Sequence, residues 1–384
     1  SFRNCIFTDT CSILYFLNVL KSYDADSFIS GNTVPARDPR VTPYHRIQKM
    51  CVFESPGNLN NEIGVPLSLL ELANHHELAL LELGMNHPGE IRNLTRISRP
   101  DCALLTNVAP VHLEFFSDIE KIAEAKGEIW ENLTSSSTLF FNIDDPWVSR
   151  LAEGFTGNKV SFGLTKAANV RISTYQFENH ERMSFTIEAS ERRIEGTVSF
   201  VGRHFLYDLA AAAAIALHFD LTEEELRRGI EQLCPPPMRG QLLRVNKTGE
   251  GSITLWDDSY NSNPEALRMV LEVFAEVKGF QRKLLALGEM LELGPASKDF
   301  HLQAGRRAAK SHPDLLVTVG SKGSYIGQGA QESSMAPQQI RHFDNSDEAA
   351  DYLVQELTSG DLLLVKGSRS VSMDRIVGKI IKGR

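Results

Sequence analysis

Cysteine is scarce and unpatterned. Five residues (Cys5, Cys11, Cys51, Cys102 and Cys234) are scattered through 384 positions and form no Cys-x-x-Cys pair. An odd, dispersed set argues against a disulfide framework or a motif-borne zinc or dithiol site, and fits reduced thiols in the cytoplasm. Long apolar runs are missing too: nothing approaches the roughly 20 residues of a membrane span, and the N-terminus has no basic-then-apolar export pattern, so no membrane partner is expected. Basic charge is in deficit, with 40 Lys and Arg against 49 Asp and Glu and a net of -9, which disfavours broad attraction to nucleic acid. A phosphate-bearing small molecule remains compatible, because local donors can outweigh the global sign. No Gly-x-Gly-x-x-Gly follows a strand and no Gly-x-Ser-x-Gly elbow occurs, which removes support for a dehydrogenase or serine hydrolase. A phosphate-cradling Gly-x-x-Gly-Lys-Ser/Thr loop is also absent, since GSKGS at Gly320 has neither the order nor the context.

What is present is ordinary for a globular chain, 42% hydrophobic and 23% charged, and its length predicts two or three domains. Residues 1–50 read as irregular. HELALLELGM and DCALLTNVAP carry the short continuous apolar runs of strands covered on both faces, separated by helical patterns. VRISTYQF, RMSFTIEA and RRIEGTVSF alternate with period two and predict a small antiparallel insertion. LAAAAAIAL and LTEEELRRGI read as helices, the second opened by a Thr222–Glu225 capping box. Pro235, Pro236 and Pro237 then mark a boundary. ITLWDD, RKLLALGEM, DLLVTVG and DLLLVKG alternate with helices as a second doubly wound unit.

Three constellations could carry chemistry. Glu82 and His112 fall at or just past the C-terminal ends of buried strands, where open parallel sheets place ligands, and their donors suit magnesium or manganese. For an isolated Glu and His, a satisfied strand-end hydrogen bond is the commoner arrangement. Ser117 and Glu120 predict a capping box for the helix that follows, whose apolar face is Ile119, Ile122, Ala123, Ile129, Trp130 and Leu133. Lys126 falls on that face. An inward ammonium beside a cation would be repelled, and carbamylation would turn it into an anion; snorkelling, or pairing with Glu128 or Glu82, is the alternative. DDSYNSNPEALRMVL ends a strand in Asp257 and Asp258 and caps a helix with Asn263 before Pro264. In LLLVKGSRSVSMDRIV, Lys366, Ser368, Arg369 and Ser370 cluster after a strand, as donors for a carboxylate or phosphate or as a solvated basic loop.

Taken in order, GNLNNEIGVPLSLL, ELGMNHPGEI, LTNVAPVHLEFF, EAKGEIW, PMRGQ, DDSYNSNPEALRMVL, LGEMLELG and VKGSRSVSMDRIV resemble the Mur ligases of peptidoglycan synthesis over residues 55–377. The resemblance implies an α/β fold with three domains: an N-terminal UDP-substrate domain (1–50, incomplete here), a central parallel-sheet ATP-binding domain (51–237) and a C-terminal Rossmann-like domain (238–384). It implies an ATP-dependent amide ligase, cytoplasmic and monomeric, that joins D-alanyl-D-alanine to UDP-N-acetylmuramoyl-tripeptide through an acyl phosphate. Other readings are a folylpolyglutamate-synthase-like ligase or a non-catalytic nucleotide-sugar binder.

By the same resemblance Glu82, His112 and a carbamylated Lys126 hold Mg2+. Asn107, Arg239, Asp258, Asn261 and Asn263 contact ATP. Asn58, Asn60, Asn61, His204, Lys366, Ser368 and Arg369 meet the other substrates. The chain departs from the family at Phe205 and Asp208, where asparagines are usual. It also has RDPRVTPYHRIQKM (37–50) where the family's phosphate loop stands, and the expectation is of loop residues missing from the sequence rather than of a degenerate ligase.

Overall fold

The computed structural model describes residues 3–8, 51–110, 113–177, 182–199, 202–233, 235–247 and 251–383. Continuous apolar runs become the interior strands of two sheets. In the first, β1 (Arg3–Thr8), β2 (Val52–Glu54), β3 (Leu78–Leu83), β4 (Cys102–Leu105), β5 (Thr138–Asn142) and β6 (Asn158–Gly163) are parallel. β7 (Val170–Phe177), β8 (Met183–Ala189) and β9 (Arg192–Val198) extend the edge, with β7 parallel to β6 and antiparallel to β8. The order is β2-β3-β1-β4-β5-β6-β7-β8-β9. The period-two segments are thus antiparallel to one another as expected, and they continue the edge of the large sheet.

The first fifty residues need a correction. β1 sits between β3 and β4 in the interior of this sheet, so Arg3–Thr8 belongs to the unit assigned to 51–237 and not to a domain of its own. Its Cys5, Ile6 and Phe7 are fully buried. The remainder of the proposed N-terminal domain, and the 37–50 segment, lie outside the described residues.

The second sheet runs β10 (Gln241–Lys247), β11 (Gly251–Asp258), β15 (Asp361–Lys366), β12 (Arg282–Gly288), β13 (Leu315–Val319) and β14 (Ile340–Phe343), with only the β10–β11 pair antiparallel. The change of sheet straddles the triple proline. Helix Arg203–His218 lays the face bearing Leu206, Leu209, Ala210, Ala213 and Ala214 on the first sheet. Its alanines let the backbone approach closely at no side-chain entropy cost. No helix among the described residues is long and apolar enough to cross a membrane.

Candidate active site

The loop 55–61 leaves β2 and crosses the end of β3. Glu82, 4% exposed, is the penultimate residue of β3, and Asn60 Nδ2 donates to its Oε1 at 2.9 Å. Asn60 is itself fixed, because its carbonyl accepts from Gly84 N at 2.7 Å. This crossing needs bare backbone: a Cβ on Gly84 would lie 2.9 Å from the Asn60 side chain, and one on Gly64 2.5 Å from the Leu59 backbone. Asn61 Oδ1 accepts from the N–H groups of Ile63 and Gly64 at 3.1 and 2.9 Å, turning the chain into helix Gly64–Leu70. Of the three asparagines, then, one orients a carboxylate, one starts a helix, and Asn58 is exposed.

Helix Ile119–Gly127 begins one residue later than its capping pattern predicts. Asp118 is the N-cap and accepts from Lys121 N at 2.9 Å, while the Ser117 hydroxyl donates to Asp118 Oδ2 at 2.8 Å. The expected Ser117–Glu120 box is therefore replaced, because a carboxylate is the stronger acceptor beside the helix's positive end. The apolar face is as read: Ile122, Ala123 and Ile129 are buried, with Ile119, Trp130 and Leu133 packed beside them. Lys126 does not snorkel. It is 1% exposed, and Nζ donates to Asn107 O at 3.1 Å. Glu128 has other duties, accepting from Gly89 N and Arg92 N at the start of helix Glu90–Ser98.

Glu82 and Leu104 are both level with Phe7 of the intervening β1, so Glu82 and the loop after β4 stand at the same end of the sheet, on strands roughly 10 Å apart. Asn107 lies in that loop with its side chain exposed, and it is the Asn107 carbonyl that meets Lys126. The same loop holds the Thr106 hydroxyl, buried with no hydrogen-bond partner among the described residues. Asp145, which the sequence reading passed over, ties the loop down: Oδ2 accepts from Val108 N while Oδ1 caps helix Pro146–Glu153. The Asp-Pro pair was the available signal. His112 lies outside the described residues.

Around the triple proline a second group of expected residues comes together. Asp258 and Lys366 are register partners at the ends of β11 and β15, and Lys366 Nζ lies 2.6 Å from Asp258 Oδ2 and 3.0 Å from Asn261 O. Lys366 and Ser368 are both 4% exposed, so the solvated-basic-loop reading fails for them. Ser368 Oγ accepts from Leu291 N at 3.0 Å. Asn263 caps helix Pro264–Glu276 through Ala266 N at 2.8 Å, and Asn261 Oδ1 accepts from Ser262 N at 2.8 Å. The Arg239 guanidinium lies 4.0 Å from the centre of the Tyr260 ring and that of Arg369 5.9 Å. Tyr260 was not anticipated. It sits in the same turn as the anticipated asparagines, and Tyr260 N donates to Met238 O across the boundary.

Burial lowers the His204 imidazole to about 4 against the pull of Asp258, leaving it neutral, and its Nδ1 has no hydrogen-bond partner among the described residues. Burial raises Asp208 to about 7, with Arg239 opposing.

Two sheets meeting at this cluster, with a carboxylate and a lysine enclosed at the strand ends of the first, have a known counterpart. Residues 38–216 match the Mur ligase middle domain and residues 240–369 the Mur ligase glutamate ligase domain. The chain belongs to the Mur ligase family.

Within it, the chain is similar to the UDP-N-acetylmuramoyl-tripeptide–D-alanyl-D-alanine ligase of Escherichia coli K12, 32% identical over 331 residues covering 84% of this chain and 69% of that protein. In fold it is similar to MurF from Acinetobacter baumannii, with a TM-score of 0.81 at 23% identity over 99% of this chain and 77% of that one. MurF ligase from Thermotoga maritima, in complex with ADP, gives 0.79 at 24% identity over 100% and 80%.

Proposed function

We propose that the chain is an ATP-dependent amide ligase that joins D-alanyl-D-alanine to UDP-N-acetylmuramoyl-tripeptide in peptidoglycan precursor synthesis. The observation that carries the reading is Lys126, fully enclosed on an apolar helix face at the sheet end that also holds Glu82. Burying an ammonium is costly, and a chain that meets the cost here has a use for the group.

The donor set fits a hard cation in part. Glu82, with Asn60 holding one oxygen, is a suitable ligand, whereas Lys126 as an ammonium is not. Addition of its neutral amine to carbon dioxide, with loss of one proton, gives a carbamate anion that keeps one N–H. That hydrogen can continue to donate to the Asn107 carbonyl, so the observed contact suits the modified side chain. Glu82, the carbamate and His112 would then hold Mg2+, which supplies charge neutralisation for transferring phosphate.

The protein's part in the reaction is positional. The tripeptide carboxylate attacks the γ-phosphorus of ATP and ADP leaves; the dipeptide amine then attacks the acyl carbon and phosphate leaves with one former carboxylate oxygen. Arg239 and Arg369 both lie by the planar Tyr260 ring at the junction, donors suited to receiving an adenine or a carboxylate. Neutral His204 offers a ring nitrogen without placing a second cation beside Lys366.

The test is phosphate release from ATP, which must require the UDP-tripeptide and D-alanyl-D-alanine together. Release with a folate and glutamate instead, or no release under any combination, would replace this reading with one of the two alternatives.

A further inference from the structure

We propose that Cys51, His75 and His76 form a metal site of the zinc class at the end of the first sheet opposite the candidate active site. Cys51 stands immediately before β2, and the two histidines end the turn that leads into β3. These strands are register neighbours through Val52 and Leu78, and Glu77 N donates to Cys51 O at 2.8 Å, so pairing of the strands draws the three side chains together. One ligand atom from each lies within 4.8 Å of the other two. A single ion with Zn–S near about 2.3 Å and Zn–N near about 2.0 Å spans such a triangle, leaving a fourth position for water. One thiolate and two imidazoles select a borderline ion over magnesium, which prefers oxygen, so this site does not compete with the one at Glu82.

The histidine rings are already gathered, with centroids 4.2 Å apart, and His76 also packs edge-on against Phe53 at 5.4 Å. Cys51 and His75 are exposed, so an ion can enter. His76 Nδ1 accepts from Ala73 N at 2.9 Å. Ligation through Nε2 puts the proton on Nδ1, and ligation through Nδ1 takes its lone pair. Either way the Ala73 bond is exchanged for the metal bond, which makes the Ala73 amide a reporter. The consequence is a clip on β2, a three-residue edge strand that feeds the loop holding Asn60 against Glu82.

The experiment titrates Zn2+, and separately Co2+, into the metal-free full chain in excess Mg2+, following binding by calorimetry and cobalt–thiolate charge-transfer absorption. One Zn2+ per chain, a thiolate band and a rise in Tm are expected. Cys51→Ser and His75→Gln should each weaken binding at least about 100-fold, and Cys102→Ser should not. His75 is exposed, so its variant is expected to fold whatever becomes of Cys51→Ser. Absence of a thiolate band, binding unchanged in both variants, or only several weak equivalents would overturn the proposal. The distance from the strand ends also predicts that Cys51→Ser keeps wild-type turnover with Mg2+.

Discussion

Asn60 Nδ2 donates to Glu82 Oε1 at 2.9 Å, so a residue that looks like a substrate contact in the sequence acts first on a neighbouring carboxylate. Its amide holds one of the two Glu82 carboxylate oxygens. Asn60→Ala should therefore lower kcat/KM by about 10- to 100-fold and raise the Mg2+ concentration needed for half-maximal activity. Asn60→Asp, which sets two carboxylates side by side, should be worse. A shift confined to the KM for UDP-tripeptide would return Asn60 to a substrate role.

Lys126 gives a sharper test. Lys126→Ala should abolish turnover and recover part of it with acetate or propionate, which place a carboxylate where the carbamate stood. Because the side chain is buried beside Ile122 and Ile129, the variant also opens a cavity, whose cost is opposed by relief of the buried ammonium, so any change in Tm should be the same with and without the rescuing acid. Full activity without any added acid would refute the assignment.

The Lys366–Asp258 pair joins two adjacent strands in a nearly dry setting, with side chains 5% and 19% exposed. Removing either partner strands the other. Lys366→Met should cost about 3 kcal/mol in urea unfolding, and Lys366→Met with Asp258→Leu should recover much of it, the pattern of a buried ion pair. Additive losses would show that the two do not depend on each other.

Asp208 makes stability depend on pH. Its folded-state value of about 7 lies above the unfolded value of about 3.9, so the folded protein binds the proton more tightly. The stabilisation this gives is full below pH 4, falls as pH rises through 7, and is gone above it. Asp208→Asn, which stays neutral, should gain on the wild type by about 2 kcal/mol at pH 8.5; the full shift would give more, but the residue is only half-buried. At pH 4 the two should be nearly equal. A difference independent of pH would show that the charge is not the cause.

The sheets were legible where burial leaves a signature. LALLEL, CALL and DLLLVK are buried at every position, as parallel strands between helix layers must be, and Lys126 was legible because a 3.6-residue period puts it among isoleucines. β1 was not legible, since RNCIFT is half polar and its central place depends on partners more than seventy residues away. The helix start at Asp118 was missed by one residue because Ser117 and Asp118 are both competent caps and only the backbone decides between them. The contacts of Asn60 with Glu82 and of Lys366 with Asp258 were not legible, because a polar side chain in a loop or at a strand end looks the same in sequence whether it serves a ligand or a neighbour. The Cys51–His75–His76 cluster follows no spacing rule, as strand pairing alone assembles it.

The fate of one oxygen atom tests the ligase reading most directly. UDP-tripeptide labelled with oxygen-18 in its terminal carboxylate should, on reaction with ATP and D-alanyl-D-alanine, release inorganic phosphate carrying one labelled oxygen per amide bond formed. Unlabelled phosphate would mean that water, not the substrate acid, had attacked ATP, and the acyl-phosphate account would fall.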